Sequence, residues 1–495
     1  MQASRSSPTT LKAASYLLAI ALIAFVLVAS VGFRDTTIGR LALAGLIGLG
    51  VGLLILFRPQ FGGFILIAMI ITNISSLATV QELPSINKPL VILVALSVLL
   101  SYLLSRSRRL PKLGQIEWLM LLFLGVWVAS LLVAEHKSPA QAKIIEMIKN
   151  FVILVSIIYS LHAPKYWRQA IWITIVVTTV LAALGSYQVI TGNYVREFGG
   201  LAATSRQEIL DGVFQYRLSG PIYAPNYWAQ FLVAVLPLAI YRFLDEKRLW
   251  IKIFAAVSVL VLVYAALSTY SRGGFLAMIA VLILITLERR ARPSLVFGVL
   301  AATLLILALL PANYSERIQS LLTLTRADNL NTLYQESSFR GRLAEARAGL
   351  RMFGENPILG VGAGNYQYLY QEHARKLNIE TRTENREAHS LYIETLAETG
   401  LVGLAAFSLL FGSLLWGLHQ VRKRMESHDP YKRWITWIAS IQMSITAYLI
   451  SSIFLHGNYI RYLWILVALG SAGLYLSRRI LDDPELIDQD EVVII

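Results

Sequence analysis

The sequence predicts an all-α, polytopic membrane protein with 12–14 transmembrane helices and one large extracytoplasmic loop. Three observations support this fold class. Hydrophobic residues make up 56% of the 495 positions, against roughly 45–50% in soluble domains. Apolar runs of the roughly 20 residues that a bilayer requires recur along the chain. A polar stretch at 312–390 then interrupts these runs. A lipid bilayer is therefore the expected environment of most of the chain.

Fourteen apolar stretches are long enough to be considered spanning helices. The stretch 273–287 is short, and only Arg58, Pro59 and Gln60 separate the second stretch from the third, so twelve or thirteen spans also fit. The N-terminal run lacks the small-residue cleavage site of a signal peptide, and we expect it to remain as the first span. The approximate limits are 14–33, 41–57, 61–80, 88–104, 117–134, 146–163, 169–190, 227–243, 250–269, 273–287, 294–311, 400–421, 434–455 and 461–477.

The charged connections between these stretches predict their orientation. If the chain starts in the cytoplasm and alternates, the basic connections SRSRRLPK, APKYWR, DEKRLWIK and RKRMESHDPYKR all face the cytoplasm. This agrees with the positive-inside rule. Both termini are then cytoplasmic, and three polar features share the outer face: 191–226, 268–274 and 312–390.

This topology divides the chain into five regions, of which the polar loop is the expected catalytic one. The regions are an N-terminal transmembrane bundle (1–190), transmembrane helices with outer-face arginine motifs (191–311), the extracytoplasmic catalytic loop (312–390), C-terminal transmembrane helices (391–477) and an acidic cytoplasmic tail (478–495).

Charge and composition exclude several classes of function. The formal net charge is +14, but no basic groove with interleaved aromatic residues indicates nucleic-acid binding. Lipid headgroups and an anionic substrate explain the charge better. The absence of cysteine excludes disulfides, thiol catalysis and zinc–thiolate sites. No HExxH motif or paired carboxylates mark an outer loop, so we expect neither a metal nor a cofactor.

Two arginines lie beside span ends on the predicted outer face. Arg272 is in SRGG, where Gly273 and Gly274 predict a tight bend. Arg217 precedes Asn226 in RLSGPIYAPN, a rigid, proline-rich entry to the next span. A single such arginine is often only solvated or snorkels to headgroups. A pair on one membrane face better supports an anion site, because guanidinium groups bind phosphate with two parallel donors.

The polar loop contains a predicted helix and a glycine-rich turn. In residues 339–353, Phe339, Leu343, Ala346 and Leu350 form one apolar face, which predicts a helix either lying on the membrane interface or belonging to a small extracytoplasmic domain. The following ENPILGVGAGNY contains Gly360, Gly362 and Gly364. Since no strand–turn–helix unit surrounds it, it is not a nucleotide motif. We expect a turn in which the backbone closely approaches another part of the molecule.

His389 is the candidate base, at the junction of the loop and the next span. Histidine titrates near neutral pH and can accept a proton at low cost, although a single histidine at a helix start also serves as a cap. Glu394 and Glu398 follow at four-residue spacing, and carboxylates near membrane depth are usually functional or paired. We expect either one to orient the imidazole or to pair with an arginine.

The motifs RLSGPIYAPN, YSRGG, GRLAEARAGLRMFGENPILGVGAGNY and AHSLYIETLAETGLVGL together resemble the O-antigen ligase and polymerase superfamily of bacterial membrane glycosyltransferases. The resemblance covers roughly 217–405, whereas the first 200 residues match only in hydropathy. It implies a metal-independent, GT-C-like membrane glycosyltransferase in the bacterial inner membrane. One departure is the number of spans, since the family's ligases commonly have about twelve.

The same resemblance implies roles for individual residues. The donor would be a glycan on undecaprenyl diphosphate at the periplasmic face, and the acceptor a glycan or a lipid. Arg217 and Arg272 would hold the donor diphosphate, and His389 would deprotonate the acceptor hydroxyl. Arg342 matches a loop arginine of the family pattern.

Three functions remain open from the sequence. A ligase would attach a finished glycan to an acceptor such as lipid A–core, and a polymerase would extend the glycan on its carrier. A transporter, for example of bicarbonate, should show polar residues at mid-span. Asn73, Ser75 and Ser76 are the best candidates for that role. Since mid-span charge is nearly absent, glycan transfer is favoured over transport.

Overall fold

The computed structural model describes residues 37–74, 87–104, 113–210, 213–289, 337–377, 386–427, 429–457 and 460–488. Most of these residues are helical, which confirms the predicted all-α polytopic class. The long helices are α1 (Thr37–Phe57), α2 (Pro59–Thr72), α3 (Asn87–Leu103), α4 (Gln115–Ala129), α5 (Lys137–Ser160), α6 (Pro164–Thr191), α7 (Pro225–Asp245), α8 (Leu249–Ser268), α9 (Arg272–Glu288), α10 (Ser337–Glu355), α11 (Tyr366–Lys376), α12 (Leu391–Met425), α13 (Lys432–Ser451) and α14 (Arg461–Asp482). A short α15 (Glu485–Asp488) and the 3-10 turns Ser130–Leu132, Phe198–Gly200, Gly220–Ile222 and Asp429–Tyr431 complete the described helical segments.

Six of the described helices are long and apolar enough to cross a membrane: α4 with its 3-10 extension, α6, α7, α8, α12 and α14. Helices occupy twelve of the fourteen predicted positions. The other two predicted spans, 14–33 and 294–311, lie outside the described residues, so the total count stays a prediction.

Helices α7 and α14 lie at the centre of the bundle. In each, 83% of the most apolar window is buried inside the protein, the largest share among the six candidate spans. Helix α7 packs against α8, α13 and α9, and α14 packs against α5, α13 and α12. Phe231 of α7 stacks on Tyr462 of α14, with 4.2 Å between ring centroids. These two helices form the core that supports the polar end of the bundle.

The connection 191–226 departs from the all-helical pattern. Strands β1 (Thr204–Leu210) and β2 (Val213–Leu218) form an antiparallel hairpin in which Ser205 pairs with Arg217 and Gln207 pairs with Gln215. The sequence pointed to a rigid entry at 217–226 but did not indicate the hairpin. In the hairpin, the backbone donors and acceptors of the two strands satisfy each other.

Helix α12 is broken at Gly400, where the predicted span begins. Gly400 has φ 64° and ψ −163°, a conformation that residues with a side chain rarely adopt. The glycine-rich loop bonds the backbone groups around this break. Val361 N–H donates to the Ala397 carbonyl (2.9 Å), and Leu401 N–H donates to the Pro357 carbonyl (2.8 Å). The loop is therefore fixed to the membrane helix at the break.

The two ends of the bundle collect different parts of the chain. We define the site end as the end where residues 130–143, 191–210, 213–226, 269–272, 386–391 and 452–457 come together. Arg217 donates to the Thr269 carbonyl, Leu391 N–H donates to the Ser452 and Leu455 carbonyls, and Lys143 lies near Glu387. At the opposite end, α7, α9, α12 and α13 meet. Ion pairs there join Arg289 to Asp245 and Arg433 to Glu246. The predicted outer-face features described here thus share one end.

Candidate active site

Arg217 lies on strand β2 and is held on three sides. Its Nε donates to the Thr269 carbonyl (2.8 Å), Nη1 to Gln207 Oε1 (2.7 Å) and Nη2 to Asn226 Oδ1 (2.9 Å). The residue is only 9% exposed. These three acceptors are uncharged, so they orient the guanidinium without cancelling its positive charge. The hairpin positions Arg217 because β1 supplies Gln207 on the same face of the paired strands.

Arg272 is the first residue of α9 and follows three residues after Thr269, whose carbonyl accepts from Arg217. The N-terminus of a helix attracts anions, because its first backbone N–H groups are unsatisfied and its dipole is positive there. Ser271 caps the helix by accepting from Gly274 N–H (3.3 Å). The sequence predicted that Gly273 and Gly274 form the bend. In the structure Tyr270 carries the left-handed φ of 52°, and the two glycines instead allow close packing.

This close packing places the start of α9, where Arg272 lies, against the turn after α13. A Cβ added to Gly273 would lie 2.7 Å from Cβ of Phe454, and one added to Gly274 would lie 2.8 Å from Cβ of Ala229. Since real Cβ contacts are longer than this, larger residues would push α9 away from both neighbours. The glycines of SRGG therefore serve to bring Arg272 against the 452–457 turn.

His389 pairs with Glu345, which the sequence interpretation did not identify. Its Nδ1 lies 3.0 Å from Glu345 Oε2 and 3.0 Å from the Glu387 carbonyl. Glu345 is 1% exposed, and its other oxygen accepts from Arg386 Nη1 (3.2 Å). The His389 side chain is 28% exposed. A buried carboxylate thus orients an imidazole that remains accessible.

The electrostatic surroundings make His389 more basic than an ordinary histidine. Burial opposes the charged imidazolium and lowers its pKa, but the hydrogen bond and negative charge of Glu345 outweigh burial, and the pKa is raised. The positive charge of Arg342, one turn before Glu345 on α10, acts in the opposite direction. The structure therefore places Arg342 near His389.

A second histidine, His456, completes a polar network at the site end. It is 3% exposed, and its Nε2 contacts the carboxylate of Glu387 and lies 2.5 Å from the Tyr227 hydroxyl. Its ring centroid is 5.5 Å from that of His389. Burial raises the pKa of Glu387, but the hydrogen bond and charge of His456 outweigh it, so the pKa is lowered.

The network links the predicted donor side to the predicted base. Arg217 bonds Asn226, the next residue Tyr227 bonds His456, and His456 lies against His389. The structure thus brings Arg217, Asn226, Arg272, Arg342 and His389 to the same end of the bundle.

We expected Glu394 and Glu398 to contact His389 or an arginine side chain. Among the described residues, their partners are backbone groups instead. Glu394 Oε2 accepts from Gly457 N–H (3.0 Å), and Glu398 Oε1 accepts from Tyr366 N–H (3.2 Å). Both are buried. Their four-residue spacing does place them on one face of α12, but that face contacts the 452–457 turn and the start of α11. Their role here is to accept hydrogen bonds from the backbone N–H groups of Gly457 in the turn and of Tyr366, the first residue of α11.

The predicted loop helix exists, and the face that it packs on protein is not its predicted apolar face. In α10 the buried residues are Ala344, Glu345, Ala348, Gly349 and Met352, whereas Leu350 of the predicted apolar face is 51% exposed. The small residues Ala344 and Ala348 allow α10 to pack closely against α12. The apolar pattern did not indicate the packed face, because that face contains small residues and a carboxylate.

The glycine-rich turn behaves as predicted. A Cβ on Gly360 would lie 2.4 Å from the Ala397 carbonyl oxygen, and one on Gly364 would lie 2.7 Å from Cγ of Lys143. The backbone therefore approaches both α12 and α5 at distances that only glycine permits, which confirms the expected close approach.

Asn73, the leading candidate for a transport role, has a local function in the structure. It ends α2 with a φ of 51°, and its side-chain amide donates to the Pro221 carbonyl (3.0 Å). It thereby anchors the segment that carries Arg217. Ser75 and Ser76 lie outside the described residues.

Some of the missed residues were identifiable. The predicted topology put the residues after span 434–455 on the outer side, so His456 in FLHGNY could have been grouped with His389. Glu345 carried no such signal, because its partner is distant in sequence.

Comparison with known families supports the motif analysis. Residues 256–408 match the family model described as O-antigen ligase. The matched segment includes Arg272, α10, the glycine-rich turn and His389. Arg217 lies before it. No curated protein matches the chain.

Proposed function

We propose that this chain, which carries an O-antigen ligase family domain at residues 256–408, transfers a glycan from undecaprenyl diphosphate to an acceptor hydroxyl at the periplasmic face of the inner membrane. The observation that carries the proposal is the convergence of two features at the site end. One is the Glu345–His389 pair, with 3.0 Å between Oε2 and Nδ1. The other is Arg217, which donates to the Thr269 carbonyl three residues before Arg272.

The transfer is a substitution at the anomeric carbon of the donor. The acceptor oxygen forms a bond to this carbon while the bond from the carbon to the phosphate oxygen breaks. Undecaprenyl diphosphate leaves with the electron pair, and the acceptor proton passes to the imidazole of His389. Release of this proton to water restores the neutral base.

The pair formed by Glu345 and His389 suits this proton transfer. Nδ1 faces the Glu345 carboxylate, and Nε2 makes no hydrogen bond or ion pair with any described residue. The Glu345 carboxylate and the Glu387 carbonyl, each 3.0 Å from Nδ1, therefore select the tautomer with the proton on Nδ1 and leave the lone pair of Nε2 for the acceptor. Glu345 also stabilises the imidazolium that forms, as the carboxylate does in histidine–carboxylate pairs of other enzymes.

The arginines suit the departing diphosphate. Negative charge develops on the leaving oxygens, and donors fixed in advance stabilise it without reorganisation. Arg217 is fixed by three hydrogen bonds, and Arg272 stands at a helix N-terminus, where anions are favoured. We therefore assign both to the donor diphosphate, with Asn226 as the residue that orients Arg217. Neither a metal nor a cofactor is part of this proposal.

Polymerisation of the glycan on its carrier would use the same residues. The full-length protein in liposomes, given a fluorescent oligosaccharide on undecaprenyl diphosphate and lipid A–core, tests the proposal. Label on lipid A–core indicates a ligase, and longer glycans on the carrier indicate a polymerase. If neither product forms while the same liposomes accumulate labelled bicarbonate, transfer is wrong and transport is supported.

A further inference from the structure

We propose that His456 is a positioning residue for this transfer, which holds Glu387 and Tyr227 and thereby keeps His389 in place beside the donor arginines. The inference rests on the proposed function. His456 lies outside the matched family segment of 256–408, and it is more deeply buried than His389. It does not reach a substrate itself, so its effect on the reaction must pass through its neighbours.

The turn that carries His456 is fixed to the start of α12, directly behind His389. Leu391 N–H donates to the carbonyls of Ser452 and Leu455, at 3.0 Å each. Gly457 N–H donates to Glu394 Oε2 at 3.0 Å. The first N–H groups of a helix have no partner within the helix, so the turn supplies acceptors that α12 lacks. These bonds therefore fix the turn that carries His456 relative to the segment that carries His389.

The side chain of His456 reaches towards both halves of the site. On one side it contacts Glu387, two residues before His389. On the other it bonds Tyr227, which follows the Arg217 partner Asn226 in sequence. One buried imidazole thus joins the segment of the base to the segment that orients the donor arginine.

His389 needs such support because of its backbone. Its φ is 46°, in the left-handed region that residues other than glycine enter at a cost, and this persists only where the surroundings hold it. The Glu387–His456 contact holds the residue two positions before His389, and the Glu345–His389 pair holds the imidazole. Loss of the first contact is expected to let His389 rotate away from the acceptor.

If His456 and Glu387 only stabilised the fold, replacing either residue would not change the pH dependence of transfer. Glu387 lies close enough to His389 for their charges to interact. Removing His456 leaves the Glu387 carboxylate with one partner fewer, and its negative charge then favours the imidazolium form of His389. Removing the Glu387 charge does the opposite. The charged or titratable groups that face this region come from α5, α7, α10, α12, the 386–389 segment and the 452–457 turn: Lys143, Tyr227, Arg342, Glu345, Glu394, Glu398, Arg386, Glu387 and His456.

The test compares His456→Gln with Glu387→Gln in the liposome transfer assay across pH. We expect kcat at neutral pH to fall about tenfold or more in each, as for a loss of orientation, with KM for the labelled donor changed much less. The acid limb of kcat, which reports the base, should move to higher pH in His456→Gln and to lower pH in Glu387→Gln.

His373→Gln is the matched control. His373 is also buried and pairs with a loop carboxylate, with 3.1 Å between Nε2 and Glu355 Oε2, but it lies on α11 away from His389. It should keep the wild-type acid limb. If His456→Gln lowers the rate by one factor at every pH, or leaves it unchanged, the positioning role is wrong. If His456→Gln does not fold, the direction of the Glu387→Gln shift decides. Failure of wild-type protein to transfer any glycan would instead refute the proposed function.

Discussion

The two ends of the helical bundle use charge in different ways. At the opposite end, arginines face carboxylates: Arg289 forms two hydrogen bonds to Asp245, of 2.8 and 2.6 Å, and Arg422 contacts Glu288. At the site end, the three acceptors of Arg217 described above are a carbonyl and two amide oxygens, and the Glu345 carboxylate pairs with both His389 and Arg386. The comparison teaches that the opposite end pairs arginines with carboxylates, whereas at the site end carboxylates also pair with histidines, the arrangement on which the proposed proton transfer depends.

The largest expected effect follows from removing the base. We expect His389→Ala to lower glycan transfer by about 10²–10⁴-fold, because proton transfer by a positioned side chain contributes that much. The measurement is label transferred from carrier to acceptor in liposomes. His162→Ala is the control, since His162 lies at the opposite end beside Tyr166 and should leave transfer unchanged. Full activity of His389→Ala would refute the site.

The next effect concerns the arginines of the site end. Arg217→Ala and Arg272→Ala should each lower kcat by about 10²–10³-fold, the cost of removing one preorganised donor to developing charge. Arg217→Lys should recover little, because a lysine cannot bond Thr269, Gln207 and Asn226 with the planar fork of a guanidinium. Transfer rates of both alanine variants equal to wild type would show that the donor diphosphate binds elsewhere.

A smaller effect is expected when His389 is kept and only Glu345, the residue that orients it, is changed. Glu345 raises the pKa of His389, and the active form of His389 is the neutral one, present above that pKa. Glu345→Gln should therefore move the acid limb of the transfer rate to lower pH, while kcat falls about tenfold because the imidazolium that forms loses its charged partner. The pH profile checks this. Glu355→Gln, which alters the His373 pair, should keep the wild-type limb, and an unchanged limb in Glu345→Gln would contradict the assignment.

The smallest effect on transfer is expected at the opposite end. Arg289→Ala removes two charged hydrogen bonds to a half-buried Asp245, which should lower the free energy of unfolding by about 1–3 kcal/mol. A thermal unfolding scan in detergent measures this loss. Transfer per folded molecule should stay at the wild-type rate. A variant that unfolds normally but transfers poorly would mean that the two ends are coupled.

The sequence predicted the helices well because a bilayer leaves the backbone few alternatives. A chain within hydrocarbon must satisfy its own N–H and C=O groups, so long apolar runs become helices. The hairpin 204–218 was missed, although Asp211-Gly212 between two alternating segments is a typical signal of a β-turn. Its strands are largely polar and belong to a connection, where hydropathy carries no information about pairing.

The site was predictable only where its residues lie in local motifs. Arg217, Arg272 and His389 were found because each occurs in a short recognisable stretch beside a span end. The partners Glu345, Glu387 and His456 depend on the packing of α10 and of the 452–457 turn against α12. Spacing along one helix pointed instead to Glu394 and Glu398, since it reports which residues share a face but not what that face contacts.

The break at Gly400 has a consequence for biogenesis. Residues 391–425 are synthesised after 357–362, yet this earlier segment bonds the backbone groups around the break. A helix entering hydrocarbon must satisfy its own hydrogen bonds, so we expect α12 to insert unbroken. It can take its final shape only when residues 357–362 have folded back onto it. Formation of the bend therefore marks the moment at which the loop of a newly made molecule has docked on this helix.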